Sequence, residues 1–206
     1  MSLKFLQDPT RPYTRQWRTL GFWRDLVYAF CIFSVVGHWM EVPYCLFMDA
    51  CFGIVPDDSL VYQDLMYPFL VYGIGACLCS IALVPLKNWL VERFSAPYKA
   101  LIAFYALAVI FCLDMELGMG LLLNQPDEFG VYPLWDNSYL PGNIFKQAWI
   151  VNDLLLGAIA TLYTWLLWPV LRFLISKLPQ HLSWIIMWVV LVLFILLCIV
   201  KFSSGA

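Results

Sequence analysis

Charge is scarce in this 206-residue chain: Asp, Glu, Lys and Arg together make up 13%, against 63% hydrophobic and 17% aromatic residues. Soluble domains carry roughly 25% charged and 45–50% apolar residues. A water-soluble fold of this length has too little interior to hide so much apolar surface, so that class is excluded. There is also no Gly-rich phosphate loop, no nucleophile elbow and no Cys-x-x-Cys pair, which removes the usual signatures of nucleotide binding, acyl hydrolysis and thiol redox chemistry. The first 25 residues hold Lys4, Arg11, Arg15, Arg18 and Arg24 without an apolar core and small-residue cleavage site, so no signal peptide is expected. Of the seven cysteines, Cys31, Cys45, Cys77, Cys79, Cys112 and Cys198 fall in apolar runs and only Cys51 in a loop, which argues against a disulfide framework.

What is abundant is long apolar runs. A bilayer core needs about 20 apolar residues per helix, and five runs qualify: Leu26–Met48, Leu65–Leu86, Ala100–Leu123, Trp149–Ile175 and Trp184–Val200. The expected fold is therefore all-α, a polytopic bundle of five transmembrane helices. It comprises a basic N-terminal segment 1–25, a single transmembrane domain 26–200 and a tail 201–206. The segment 124–148, rich in Pro, Gly, Asn and aromatics, is too polar to span and is expected to pack on the rim. No internal repeat is visible.

Ten of the twelve Lys and Arg residues lie in the N-terminal segment and in the connections after the second and fourth runs. The other side has Lys146 and Lys201 among Asp49, Asp57, Asp58, Asp64, Asp127, Glu128 and Asp136. The positive-inside rule then puts the N-terminus in the cytoplasm and the C-terminus outside, in an inner (plasma) membrane.

Few polar residues interrupt the runs, and each ionisable one at membrane depth is a functional candidate. Ser34, His38, Glu41 and Cys45 recur at spacings of four, three and four, which places them on one helical face. Asp114 and Glu116 lie roughly 21–24 Å along the third helix at 1.5 Å per residue, and Asn152 and Asp153 lie within a turn of the outer end of the fourth. Glu41, Asp114, Glu116 and Asp153 are thus expected at one depth in the outer half. Asp114 and Glu116 point in different directions, and Glu116 is preferred because Gly120, one turn on, keeps its face narrow. The alternative is that these groups only glue helices together, at about 0.6–2 kcal/mol per hydrogen bond. A lone buried His is more often a satisfied core residue than a metal ligand, and His38-x-x-Glu41 is not by itself a zinc motif.

Phe33–Glu41 (FSVVGHWME), Tyr67–Gly73 (YPFLVYG), Met115–Gly118 (MELG), Trp135–Ser138 (WDNS), Gly142–Ile144 (GNI) and Trp149, in this order, resemble the bacterial family of putative ABC-transporter type IV proteins, or CmpB-like permeases, over roughly residues 30–157. The family's Gly-x-x-x-Glu element falls on Gly37 and Glu41, its Pro-x-x-x-Tyr-Gly element on Pro68, Tyr72 and Gly73, its Trp-Asp-x-Ser element on Trp135, Asp136 and Ser138, and its third-helix acid on Glu116. The chain departs from that pattern in having His38 where Trp is usual and Tyr62-Gln63-Asp64 where Asn-Arg-Gly is usual. The resemblance implies a transporter or permease subunit. Binding of a small polar or cationic substrate or ion is then expected from His38, Glu41, Tyr72, Glu116, Asp136, Asn143 and Asp153, in a cavity open to the outside. The residues name no cofactor and leave open whether a metal binds. Expected partners are the lipid bilayer and a second copy, another membrane subunit or an ATPase, and no nucleic acid. Two other readings compete: a membrane-embedded enzyme acting on a lipid or lipid-linked substrate, and a structural or regulatory subunit without chemistry.

Overall fold

The computed structural model describes residues 18–53, 60–133 and 135–203. Lys4, Arg11, Arg15, Asp57, Asp58 and the end of the tail, about which the sequence raised expectations, lie outside them. The chain is an all-α polytopic helix bundle. Among the described residues, five helices are long and apolar enough to cross a membrane: Leu20–Phe52, Leu70–Arg93, Pro97–Leu123, Ile150–Ser176 and Gln180–Ser203.

In chain order the elements are α1 (Leu20–Phe52), α2 (Leu60–Gln63), α3 (Leu70–Leu78), α4 (Val84–Arg93), α5 (Pro97–Leu123), a short antiparallel pair β1 (Asn143–Ile144) and β2 (Ala148–Trp149), α6 (Ile150–Leu162), α7 (Trp168–Ser176) and α8 (Gln180–Ser203). The second and fourth spans are each interrupted by a π-helical turn, Cys79–Leu83 between α3 and α4 and Tyr163–Leu167 between α6 and α7. The cause is in the sequence. Pro85 and Pro169 each follow the turn by two residues; a proline removes the donor to the carbonyl four residues back and its ring pushes that carbonyl away, which a wider turn absorbs.

The helix ends follow local rules. Thr19 caps α1, its Oγ1 accepting from Phe22 N at 3.3 Å, and Gly53 closes it at φ 62° with its N–H donating to Asp49 O at 2.7 Å. Proline at the first helical position starts α5.

The chain divides into two compact units, residues 1–82 with 167–206, and residues 83–166. In the first, α1 packs on α3, α8, α2 and α7. Its α1–α3 contact depends on two glycines. A Cβ on Gly37 would sit 2.9 Å from Tyr72 Cδ2 and closer still to Cγ, and a Cβ on Gly73 would sit 2.6 Å from the Phe30 carbonyl oxygen. At its N-terminal end α1 meets α7 and α8 through a buried ionic group. Asp25, 2% exposed, accepts from Arg24 Nη2 at 2.7 Å and Nε at 3.0 Å and from Arg172 Nε at 3.0 Å. Arg24 Nη1 reaches Ser183 Oγ at 2.6 Å, and the Tyr28 hydroxyl donates to Ser183 O at 2.7 Å. Farther along, Lys201 near the end of α8 pairs with Asp64 at 2.7 Å, and this contact holds the Asp64 carboxyl below the usual carboxylate range.

In the second unit α5 packs on α4 and α6. Here Gly157 of α6 lies on Val109 of α5: a Cβ would approach Val109 Cα to 3.0 Å and N to 3.1 Å, backbone atoms that cannot rotate away. Gly157→Ala is therefore expected to destabilise the protein by about 1–3 kcal/mol. Gly118→Ala, where nothing lies within 4 Å, is expected to be neutral or slightly stabilising through helix propensity. Thermal unfolding of both variants in detergent checks the pair; equal melting would show that the α5–α6 approach is looser than this.

Candidate functional site

The acids preferred from the sequence occupy two places, one in each unit. In the first unit, Glu41 lies on α1 one turn beyond Gly37. Gly37 leaves room for the Tyr72 ring, and the Tyr72 side chain hydrogen-bonds Glu41. The two short motifs that carried the family resemblance thus interlock: the glycine of one clears the ring of the other, and the glutamate takes its hydroxyl. Glu41 Oε2 is buried with no hydrogen-bond partner among the described residues.

His38 is fully buried one turn earlier and serves the same unit differently. Its Nδ1 faces Tyr67 O at 2.8 Å and its Nε2 faces Val61 O at 3.0 Å, while its ring packs on Phe69 at 4.4 Å. Both nitrogens face backbone carbonyls, which only accept, so a neutral imidazole donates to one of the two according to its tautomer, and either bond ties the 61–67 segment to α1. Ser34 O accepts from Phe69 N at 3.0 Å and Trp39 Nε1 donates to Leu65 O at 2.7 Å, extending that tie.

In the second unit, Glu116 of α5 and Asp153 of α6 come together. Asp153 has no exposed surface, and neither of its oxygens meets an N–H or hydroxyl donor among the described residues. The group that faces it, within hydrogen-bonding reach, is the Glu116 carboxyl. Glu116 is only half-buried; its Oε2 accepts from Asn152 Nδ2 at 2.9 Å, and Asn137 also bonds it. No basic side chain acts on either carboxyl among the described residues. Two carboxylates side by side at roughly 3–4 Å would repel by about 4 kcal/mol at an effective dielectric of about 20, so the contact is a hydrogen bond only when one of the two carries a proton. Cys112, one turn before Glu116, faces the same pair.

Asn137 belongs to the segment after α5, and the way that segment is folded explains its position. Asn124 Nδ2 donates to Trp135 O at 2.7 Å and to Gln147 Oε1 at 3.0 Å, and Gln147 Nε2 returns to Asn124 O at 3.0 Å. Gln147 O accepts from Trp135 Nε1 at 2.7 Å and Asn137 Nδ2 at 2.9 Å. Gln147 in turn packs on Gly120, where a Cβ would come within 2.7 Å of the Gln147 Cβ. Gly120 thus lets the loop settle on the Glu116 face of α5.

The remaining candidates stand elsewhere. Asp114 is exposed. Asp136 is exposed and its Oδ1 accepts from Ser138 N at 2.8 Å, a turn-forming bond that holds its carboxyl below the usual range. Asn143 spends its amide on Leu140 O at 2.9 Å and its oxygen on Lys146 N at 3.1 Å. Asp136 and Asn143 shape the loop and are not brought to either carboxyl group. Asn137, Gln147 and Asn124 were not singled out from the sequence; amides in a loop show no periodicity that would mark them. Among the described residues no three His, Cys, Asp or Glu side chains are grouped to hold a metal ion. An apolar groove of about 430 Å³ runs along α1 and α8, lined by Cys31, Val35, Trp39, Val190 and Phe194 among others, and none of the acids lines it.

No curated protein and no solved structure matches this chain. A family model does: the one described as putative ABC-transporter type IV matches residues 28–202, from the first span to the end of the last. The Gly37–Glu41 and Tyr72–Gly73 interlock, the Trp135–Ser138 turn and the third-helix Glu116 all lie inside that stretch, and the chain belongs to this family of transporter-type, multi-pass membrane proteins.

Proposed function

We propose that the chain is a transporter or permease subunit of the inner (plasma) membrane that moves a small polar or cationic substrate through acidic groups set in its spans. The observation that carries this reading is the Glu116–Asp153 pair: two carboxyls on neighbouring apolar helices, one of them without exposed surface, and among the described residues no basic side chain acting on either. Removing charge from water inside a bilayer costs several kcal/mol unless it is paired. A pair of acids that no cation among the described residues neutralises is suited to take a proton or a positive charge from elsewhere. Glu41, with one buried oxygen unmet, offers a further acceptor of the same kind. The distribution of Lys and Arg favours acids toward the outer side.

The small size favours a second copy or a partner subunit. An ATPase is the partner the family description suggests, yet the connections on the expected cytoplasmic side, 94–96 and 177–179, are short. The test is substitution in the full chain. Glu41→Gln keeps an oxygen for Tyr72 but removes the ionisable group, and it is expected to abolish complementation of cells lacking the chain while membrane levels stay normal. Full complementation by a normally inserted Glu41→Gln variant would remove Glu41 from the site.

A further inference from the structure

We propose that the Glu116–Asp153 pair is a proton-carrying site, holding one solvent-exchangeable proton between α5 and α6, and that transport by this chain is coupled to the release of that proton. The inference rests on the transport reading above and adds the energy source to it. Three observations carry it. Asp153 has no exposed surface and, among the described residues, no donor on either oxygen other than the opposing carboxyl. Glu116 faces it across the helix contact and is itself half-buried, so the pair has one closed and one partly open member. The amides of Asn152 and Asn137 bond Glu116 and so hold it in that position whichever carboxyl carries the proton.

A proton is the ligand that fits without further space, since it needs only two facing oxygens. Asp153 then acts as the store and Glu116 as the exit. The proton moves along the hydrogen bond from Asp153 to Glu116 and from Glu116 to water, leaving two carboxylates. These favour the arrival of a positive charge or the return of the proton. The surroundings add little that would compensate otherwise. Cys112 on α5 is the titratable neighbour, the groups from α6 and from the loop are the neutral amides Asn152 and Asn137, and Asp114 is exposed. From α4, the buried Lys87 reaches Thr164 O at 3.2 Å, eleven residues along the span from Asp153 or about 16 Å. Coupling to a proton also suits a chain whose short connections offer little surface to an ATPase.

Infrared spectroscopy of the full chain in liposomes tests this directly. At neutral pH the wild type is expected to show a protonated-carboxyl stretch that shifts when the buffer is changed to deuterated water and is lost in both Glu116→Gln and Asp153→Asn. Each variant keeps an amide donor in place of the shared proton, so the helix contact survives and loss of the band is not loss of fold. Absence of the band in the wild type, its survival in both variants, or failure to exchange with deuterium would each overturn the proposal. These outcomes concern the proton alone. The transport reading fails separately, if Glu41→Gln and both variants of the pair complement fully.

Discussion

Glu116→Gln is expected to leave the protein folded and inserted but to cut its transport activity by about 100-fold or more, the scale of losing a proton-transferring group. The substitution discriminates because it is nearly isosteric. A glutamine amide donates to the Asp153 carboxylate and its oxygen still accepts from Asn152 Nδ2, now 2.9 Å from Glu116 Oε2. The Asn137 contact that seats the loop is retained in the same way. If the pair only glues α5 to α6, an interaction of about 0.6–2 kcal/mol, Gln does that work as well as Glu, and activity stays near wild type. If the pair must gain and lose a proton, Gln cannot, and activity falls while thermal unfolding in detergent barely moves. Glu116→Leu supplies the opposite control: it leaves Asp153 and Asn152 without that partner and should lower stability and activity together. A fully active, normally stable Glu116→Gln protein would assign the pair to packing.

The five spans were legible because composition alone forces them: each apolar run falls within or above the range of roughly 17–25 residues that a bilayer core demands. Their ends were less so. The first helix begins at Leu20 instead of Leu26, since Thr19 supplies a cap that hydropathy does not register. Hydropathy is equally silent about the π turns, although Pro85 and Pro169 were there to be read as helix-disturbing residues in two separate runs. At the candidate site, helical spacing separated Glu116 from Asp114, and the structure puts the first against Asn152 and Asp153 and leaves the second exposed. Spacing had nothing to say about Asn137, because its place beside Glu116 depends on a loop held by Asn124 and Gln147. His38 showed the other limit. Its position on the Glu41 face was correct periodicity, but the carbonyls of Val61 and Tyr67 that its two nitrogens face come from a segment more than 20 residues away.

Asp25 escaped notice for a simpler reason: it lies one residue before the apolar run and reads as a boundary charge. Its substitution by alanine is expected to cost about 3–5 kcal/mol, the range for breaking a buried ion pair by removing one partner. The group is not a surface pair worth 0–1 kcal/mol. Asp25 is 2% exposed, and it takes three hydrogen bonds from the two guanidiniums of Arg24 and Arg172, whose side chains are 13% and 10% exposed. The arginines also lie over aromatic rings, Arg24 over Trp184 at 5.6 Å and Arg172 over Trp168 at 5.7 Å, so they are held by packing and cannot simply swing into water. Without the carboxylate, two positive groups are left close together at the point where α1, α7 and α8 meet. Asp25→Asn keeps the shape but not the charge and should fall between wild type and alanine. Removing one of the paired cations should then restore part of the loss. In a double-mutant cycle, Asp25→Ala with Arg172→Met is expected to be more stable than Asp25→Ala alone. Strictly additive losses would mean that the three groups are neighbours without being coupled, and that α1 is held to α7 and α8 by its apolar contacts around Tyr28, Ile175 and Met187 instead.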